Sequence, residues 1–282
     1  MQTLLDRLLL LQPTAKRTTL RQMLGSGRIL IDGRRARSLK QPLDDAAKVT
    51  IANHAPQVAP TTGPLHMVHE DEDLLIVVKP PGLLTSTGPR EQRPTALKFV
   101  QHYFAGDRNV RVGLIHRLDR DASGLLVFSK SNLAYDALKT QFFKHTVDRV
   151  YSAVVSRVPQ ERQGTLQKPL EERTDGTVYV CRGNRGQLAV THYAVVAENA
   201  QGQALLRVTL ETGRKHQIRV HLAHAGWPIV GDAVYGQATP GQGLMLCAVE
   251  LGFDHPRSGQ RVGWKISMPA FMRKLFAEVK EA

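Results

Sequence analysis

Residues 114–130, LIHRLDRDASGLLVFSK, place Arg117, Asp119, Arg120 and Asp121 between two apolar runs that read as strands. Cations beside a carboxylate favour its ionised form, and such a carboxylate can act as a nucleophile or a general base. A lone Arg-x-Asp at a loop is more often a structural ion pair, because such networks perturb titration without catalysing anything. The rest of the chain has to decide between the two.

A second dense polar cluster occupies residues 211–236, ETGRKHQIRVHLAHAGWPIVGDAVYG. Its spacing predicts a helix over 215–225, ended by Gly226, with His216 and Arg219 three apart on one face and Ile218 and Leu222 on another. His216, His221 and His224 do not read as a metal site. Helical angles separate His216 from His221, and no Asp, Glu or Cys completes a ligand set. A third candidate comes from the strand pattern of residues 147–155, VDRVYSAVV, where Tyr151, Ala153 and Val155 alternate on one face and Tyr151 becomes a ring lying on a sheet. Buried packing is the ordinary reading of such a ring.

These clusters need a frame. The chain has 282 residues, ordinary hydrophobic content of 42% and a net charge of +13, with a sequence pI near 10.0. Length allows one large or two unequal domains, and the charge points to a polyanionic partner, since Lys and Arg gain affinity by releasing counterions from phosphates. No basic amphipathic helix or apolar run of spanning length favours a membrane instead. Cys181 and Cys247 have no ligand spacing and read as reduced thiols in a cytoplasmic protein. The leucines at the N-terminus are interrupted by Asp6 and Arg7, with no small-residue cleavage site after them.

Residues 1–54 hold ten Lys and Arg against four acids, so this fifth of the chain carries +6 of the +13. Leu4, Leu5, Leu8 and Leu11 recur at helical spacing. A second helix is expected to start after Thr18 or Thr19, with Gln22 as capping partner, and to stop at Gly25 and Gly27. Residues 28–37 read as a hairpin around Asp32-Gly33. Residues 55–66 form a linker, and residues 67–282 a second domain. There the reading is a buried strand over 74–78 broken by Lys79-Pro80-Pro81-Gly82, with Lys79 either touching a phosphate or marking the sheet edge. Pro94 opens a helix over 95–104, Ser131 caps one to about residue 145, and residues 156–187 read as irregular hairpins. Strands over 188–196, 204–210 and within 244–268 complete an irregular alternation, which favours an α+β fold with a mixed, largely antiparallel sheet.

Residues 68–269 resemble the RluA-type pseudouridine synthases. The motifs that carry the resemblance are IVVKPPG, HRLDRDASGLLV, RVYSAVV, the whole of residues 211–236, and LCAVELGFDHP, in the order usual for that family. Residues 1–54, around LRQMLGSGRILIDGRRA, resemble the small α/β RNA-binding domain named after ribosomal protein S-four. Three positions depart from the family pattern: Val78 where Asn is usual, Ala122 where Thr is usual, and Arg149 where Lys is usual. The resemblance implies a pseudouridine synthase sheet, Asp119 as the essential carboxylate, Tyr151 as the ring against the target uracil and Arg219 as the cation paired with Asp119. Arg117 would fill the space a flipped base leaves. Arg17, Arg21, Arg28, Arg34 and Arg35 are the expected phosphate contacts of the small domain, with Lys79, Arg214 and His216 as further RNA contacts.

The chemistry such an enzyme performs breaks the bond from ribose to a ring nitrogen, rotates the uracil and rejoins it through carbon 5, on a nucleotide taken out of its stack. No metal or other cofactor is expected, and no Walker loop or GxGxxG after a strand is present. The expected partner is RNA, ribosomal before transfer RNA, with the protein a monomer. A non-catalytic RNA-binding or ribosome-assembly factor is the reading from another class. It has no need for Asp119, Tyr151 and Arg219 together.

Overall fold

The computed structural model describes residues 2–25, 28–32, 34–36, 38–44, 46–51, 62–87, 93–182, 185–237 and 241–276, apart from the side chains of Arg34 and Arg35. The chain divides into two compact units, Met1–Pro60 and Thr61–Ala282. Most of the proposed linker, residues 55–61, and the turn residue Gly33 lie outside the described residues.

The first unit contains α1 (Leu4–Leu11), α2 (Arg17–Gly25), β1 (Ile29–Ile31), β2 (Arg34–Arg35) and β3 (Val49–Ile51). Thr3 opens α1 with a capping box: its hydroxyl accepts from the Asp6 N–H while the Asp6 carboxylate accepts from the Thr3 N–H. The second helix begins at Arg17, so Thr18 and Thr19 lie inside it and Gln22 is not a capping partner. Leu30 pairs with Arg35 and Ile31 with Arg34, and Asp32, directly after β1, has a positive φ of 50°. The sheet has a third strand, β3, with order β2-β1-β3, that the sequence reading did not contain. Leu4, Leu8, Leu20 and Ile29 are its fully buried core.

The second unit runs β4 (His66–Glu70), β5 (Leu74–Lys79), α3 (Ala96–Tyr103), β6 (Gly113–Leu114), β7 (Ser123–Ser129), α4 (Asn132–Phe143) and β8 (Asp148–Val155). It continues with β9 (Gln163–Glu172), β10 (Val178–Val180), β11 (Gln187–Glu198), β12 (Ala204–Leu210), α5 (Gln217–His224), β13 (Leu246–Asp254), β14 (Arg261–Lys265) and α6 (Ala270–Arg273). One sheet runs β10-β9-β11-β12-β8-β13-β7-β5-β4, with β14 beside β13 and β6 beside β7. Among the described strands only β7 and β13 pair in parallel, so the fold is α+β with a mixed, largely antiparallel sheet.

The central strands bury both faces, and period two sorts their side chains into two cores. Leu75, Val77, Leu126 and Phe128 join one core with Ala96 and Val100 of α3 and Ile218 and Leu222 of α5. Leu74, Ile76, Leu125 and Val127 join the other with Ala134 and Leu138 of α4. Helices therefore cover the middle of the sheet on both sides. Thr95 and Ser131 cap α3 and α4 by accepting from the Lys98 and Ala134 N–H groups, so Pro94 precedes the cap instead of opening the first turn.

The described part of residues 156–187 is more regular than its sequence suggested: β9 pairs with β10 on one side and with β11 on the other. Its polar residues, mostly exposed on both faces, gave no apolar alternation to read, and the ladder supplies the order instead.

Gly124 lies where β7 and β13 run parallel. Its φ is +116°, and a Cβ there would stand 2.2 Å from the Ala248 oxygen and 2.5 Å from the Ala248 nitrogen. The glycine is required twice over, for the backbone angle and for the approach. Gly124→Ala is expected to destabilise the second unit by about 2–4 kcal/mol in urea unfolding. A loss below about 1 kcal/mol would mean that the strands separate at little cost.

Candidate active site

Asp119 lies in the coil between β6 and β7, and its two sequence neighbours are fixed. Leu118 donates its N–H to the Thr85 hydroxyl at 3.1 Å, and that hydroxyl donates to the Leu118 carbonyl at 2.8 Å. On the other side the Arg120 carbonyl accepts from the Lys79 ammonium at 2.9 Å. Farther back, His116 stacks on Phe142 and accepts the Val127 N–H at 3.2 Å. Burial first, with the Arg149 and Lys139 charges adding, lowers the His116 pKa to about 3, so this ring is neutral and structural.

Lys79 is fully buried, and this corrects its reading as a phosphate contact or a mark of the sheet edge. Its three ammonium N–H groups have three carbonyl acceptors, of Pro80, Leu83 and Arg120. Burial lowers its pKa to about 8 against the opposing charges of Asp121 and Asp119. Buried cations need full hydrogen bonding, and here that need ties the end of β5 to the Asp119 loop. Asp121 pairs with Arg120 in a two-pronged contact at 2.9 Å for each prong, on the exposed side of the loop.

Helix α5 supplies the facing groups. The chain enters it through Gln217, whose amide oxygen accepts from Thr212 and the Arg214 N–H while its nitrogen donates to the Val190 carbonyl and Thr191. The helix starts at Gln217, two residues later than its spacing suggested. Ala225 caps it, and the Gly226 N–H bonds the Ala223 carbonyl while the Trp227 N–H bonds the Leu222 carbonyl, a Schellman ending with Gly226 at φ +94°. Six of its eight residues are buried, Arg219 among them.

Arg219 donates to the Asp119 carboxylate at 3.3 Å. Its stronger partner is Asp232, which accepts from both Nε and a terminal nitrogen at 2.8 Å. The Asp232 side chain is 0% exposed, that of Arg219 6% and that of Asp119 22%. Burial opposes the Arg219 charge, but the Asp232 hydrogen bonds and charge, with Asp119 adding, raise its pKa. For Asp232 burial works upward, and Arg219 overrides it and lowers the pKa. One oxygen of Asp232 also accepts the Val234 and Tyr235 N–H groups, and the Tyr235 ring lies 5.0 Å from the Arg219 guanidinium.

Tyr151 on β8 is 8% exposed. Burial, with Asp119 adding and Arg149 opposing, pushes its phenol up to about 12. Arg149, on the same strand, donates to the Leu210 and Glu211 carbonyls at the end of β12. Asp119, Tyr151 and Arg219, one hundred residues apart at the extremes, are thus brought into one electrostatic neighbourhood.

The other candidates separate. Arg117 is exposed and makes no ion pair among the described residues. Arg214 is exposed and donates to the Leu188 carbonyl. Arg17 and Arg21 are exposed, four apart on α2, whereas Arg28 is partly buried. His216 does not share a helical face with Arg219, because it stands one residue before α5, yet its Nε2 lies 4.0 Å from Asp119. His221 is buried against Thr191 at 2.9 Å and His224 is exposed, so the three histidines face three different surroundings. Thr85, Asp232 and Tyr235 escaped sequence reasoning. Asp232 had a signal: an arginine on an apolar helix needs an acid, and one sits in the same polar cluster.

The family model for RNA pseudouridylate synthase matches residues 73–224. An uncharacterized RNA pseudouridine synthase of Bacillus subtilis is 33% identical over 94% of this chain and 90% of its own length. The ribosomal large subunit pseudouridine synthase D of Escherichia coli is 32% identical over 93% of this chain and 86% of its own. A solved structure of human RNA pseudouridylate synthase domain containing 1 shares the fold, with a TM-score of 0.63 and 23% identity over 77% of this chain and 88% of that one. This chain belongs to the RNA pseudouridylate synthase family. It is an isomerase that modifies RNA, and no helix among its described residues is long and apolar enough to cross a membrane.

Asp232→Asn leaves the Arg219 cation buried without its main counter-charge. Removing one partner of such a pair is expected to cost about 3–5 kcal/mol of stability in urea unfolding. Among molecules that remain folded, the isomerisation rate is expected to fall about tenfold to hundredfold, with RNA affinity unchanged. A folded variant with the wild-type rate would show that Arg219 keeps its place without Asp232.

Proposed function

We propose that this protein converts uridine to pseudouridine in large-subunit ribosomal RNA, with Asp119 as its catalytic carboxylate. One observation carries the reading: Asp119 is a partly exposed carboxylate on a loop fixed at both neighbours, hydrogen-bonded by a buried arginine. A structural ion pair has no use for a free carboxylate edge or for such bracing.

In this reading the target nucleotide leaves its stack at a cost of a few kcal/mol. Arg117, uncommitted and two residues from Asp119, occupies the vacated space. The uracil lies against Tyr151, whose neutral phenol adds no charge beside Asp119. Arg219 orients the carboxylate as it acts on the sugar, on the base or on a ribose proton. The ribosomal substrate follows from relatives whose names give the large subunit as theirs. Residues 1–54 act as an S-four-like RNA-binding domain, with Arg17 and Arg21 on one face of α2 as phosphate contacts.

The test is tritium release from RNA labelled at carbon 5 of uridine, with ribosomal and transfer RNA offered separately. Release from ribosomal RNA by the wild type, abolished in Asp119→Ala with RNA binding retained, is the expected result. Undiminished release by Asp119→Ala would overturn the catalytic assignment, and release from transfer RNA alone would overturn the substrate. Replacing Arg17 and Arg21 together with Ala is expected to lower the slope of log affinity against log salt by about 2. An unchanged slope would take phosphate binding away from this face.

A further inference from the structure

The structure assigns His216 a place beside Asp119 as a positioning residue, a neutral imidazole held in its Nε2–H form and aimed at the carboxylate by Tyr235. This rests on Asp119 being the catalytic group. It removes His216 from the RNA contacts among which the sequence reading had placed it.

The argument is one of hydrogen-bond direction. The Tyr235 oxygen receives the Val178 backbone N–H at 2.8 Å and lies 2.7 Å from His216 Nδ1. A backbone N–H can only donate, so the phenol oxygen is the acceptor there and its own proton is free to point elsewhere. The Nδ1 lone pair is its near acceptor. A neutral imidazole that accepts at Nδ1 carries its proton on Nε2, and Nε2 is the atom 4.0 Å from Asp119 Oδ1. The opposite tautomer would leave the phenol proton without this acceptor and turn an Nε2 lone pair toward a carboxylate. Burial lowers the His216 pKa against the opposing charge of Asp119, which favours the neutral ring.

Arg219 reaches Oδ2 of Asp119 and His216 faces Oδ1, so the two carboxylate oxygens have different donors. The separation of 4.0 Å is longer than a hydrogen bond. Catalytic contacts of this kind tighten when substrate binds. His216 also holds a left-handed backbone, φ 54°, immediately before α5. That conformation is uncommon for a residue other than glycine and is retained where the surroundings demand it. Here it lets the ring leave the helix axis and stand between Tyr235 and Asp119. The loop after Gly231 thereby serves both donors: Asp232 clamps Arg219, and Tyr235 directs His216.

Single-turnover tritium release with saturating RNA, alongside RNA affinity by filter binding, tests this in the full-length protein. His216→Ala is expected to slow the step about tenfold to hundredfold with affinity unchanged. Gln presents an amide N–H near the place of Nε2, so His216→Gln is expected to recover to within about fivefold of wild type. Tyr235→Phe, which keeps the ring, is expected to slow the step as well, and the double variant Tyr235→Phe with His216→Ala to be no slower than His216→Ala alone. Nitrogen-15 chemical shifts of His216 read the tautomer directly, with protonated Nε2 expected, and need no variant to fold. A wild-type rate in His216→Ala, weakened binding in place of a slowed step, additive loss in the double variant, or a protonated Nδ1 in the neutral ring would each overturn the assignment. Undiminished release by Asp119→Ala would instead overturn the proposed function beneath it.

Discussion

The buried pair of Arg219 and Asp232 is the constraint on which the candidate site depends. An arginine cannot lose its charge at any ordinary pH, so a helix that buries one must bring a carboxylate with it. Asp232 meets that need with both oxygens, and one of them also caps its own turn at Val234 and Tyr235. The pair stabilises the fold little compared with a well-packed apolar substitute. Its effect is directional. With two of its donors held by Asp232, the remaining edge of Arg219 has one orientation left, and Asp119 stands there.

The loop that carries Asp119 is held by the same economy. Thr85 closes a two-way hydrogen bond on Leu118, and Lys79 spends a buried ammonium on the Arg120 carbonyl. Neither residue touches the candidate carboxylate. Without them a coil of residues 115–122 would sample many backbone states, each costing about 1–2 kcal/mol per residue to freeze when substrate arrives. The hydrogen bonds to Leu118 and Arg120 supply part of that ordering from within the protein. A close glycine crossing at Gly124 then sets the loop's exit into β7.

The sequence made the chemistry more legible than its support. Asp119, Tyr151 and Arg219 could be singled out as candidates because motifs keep residue types and local spacing together. The same locality hid Thr85 and Tyr235, whose roles come from contacts 33 and 19 residues away with no periodic signal. Lys79 was misread because a lysine after an apolar strand normally marks the edge of a sheet, and only three converging carbonyls explain a buried one. The strand pattern was clearest where both faces are buried, at β5 and β7, and vanished at β9, where an exposed ladder tolerates Gln, Lys and Pro. Helix α2 began before its threonines because a propensity for caps yields to the packing of Leu20 into a core.

In the proposed reaction, unstacking a nucleotide draws on binding energy, and disorder in the protein would add to that cost. The charges are divided accordingly. Arg219, Lys79, Arg149 and Arg120 are already paired with carboxylates or carbonyls. Arg117 is exposed and makes no ion pair among the described residues, a long cation two residues from Asp119 on a braced loop. A cation held in advance by a protein carboxylate would have to break that pair before meeting a phosphate or a stack, and the energy of the pair would come off the binding. Under the proposed mechanism, Arg117 has no pair among the described residues to break before it meets a nucleotide that leaves its stack.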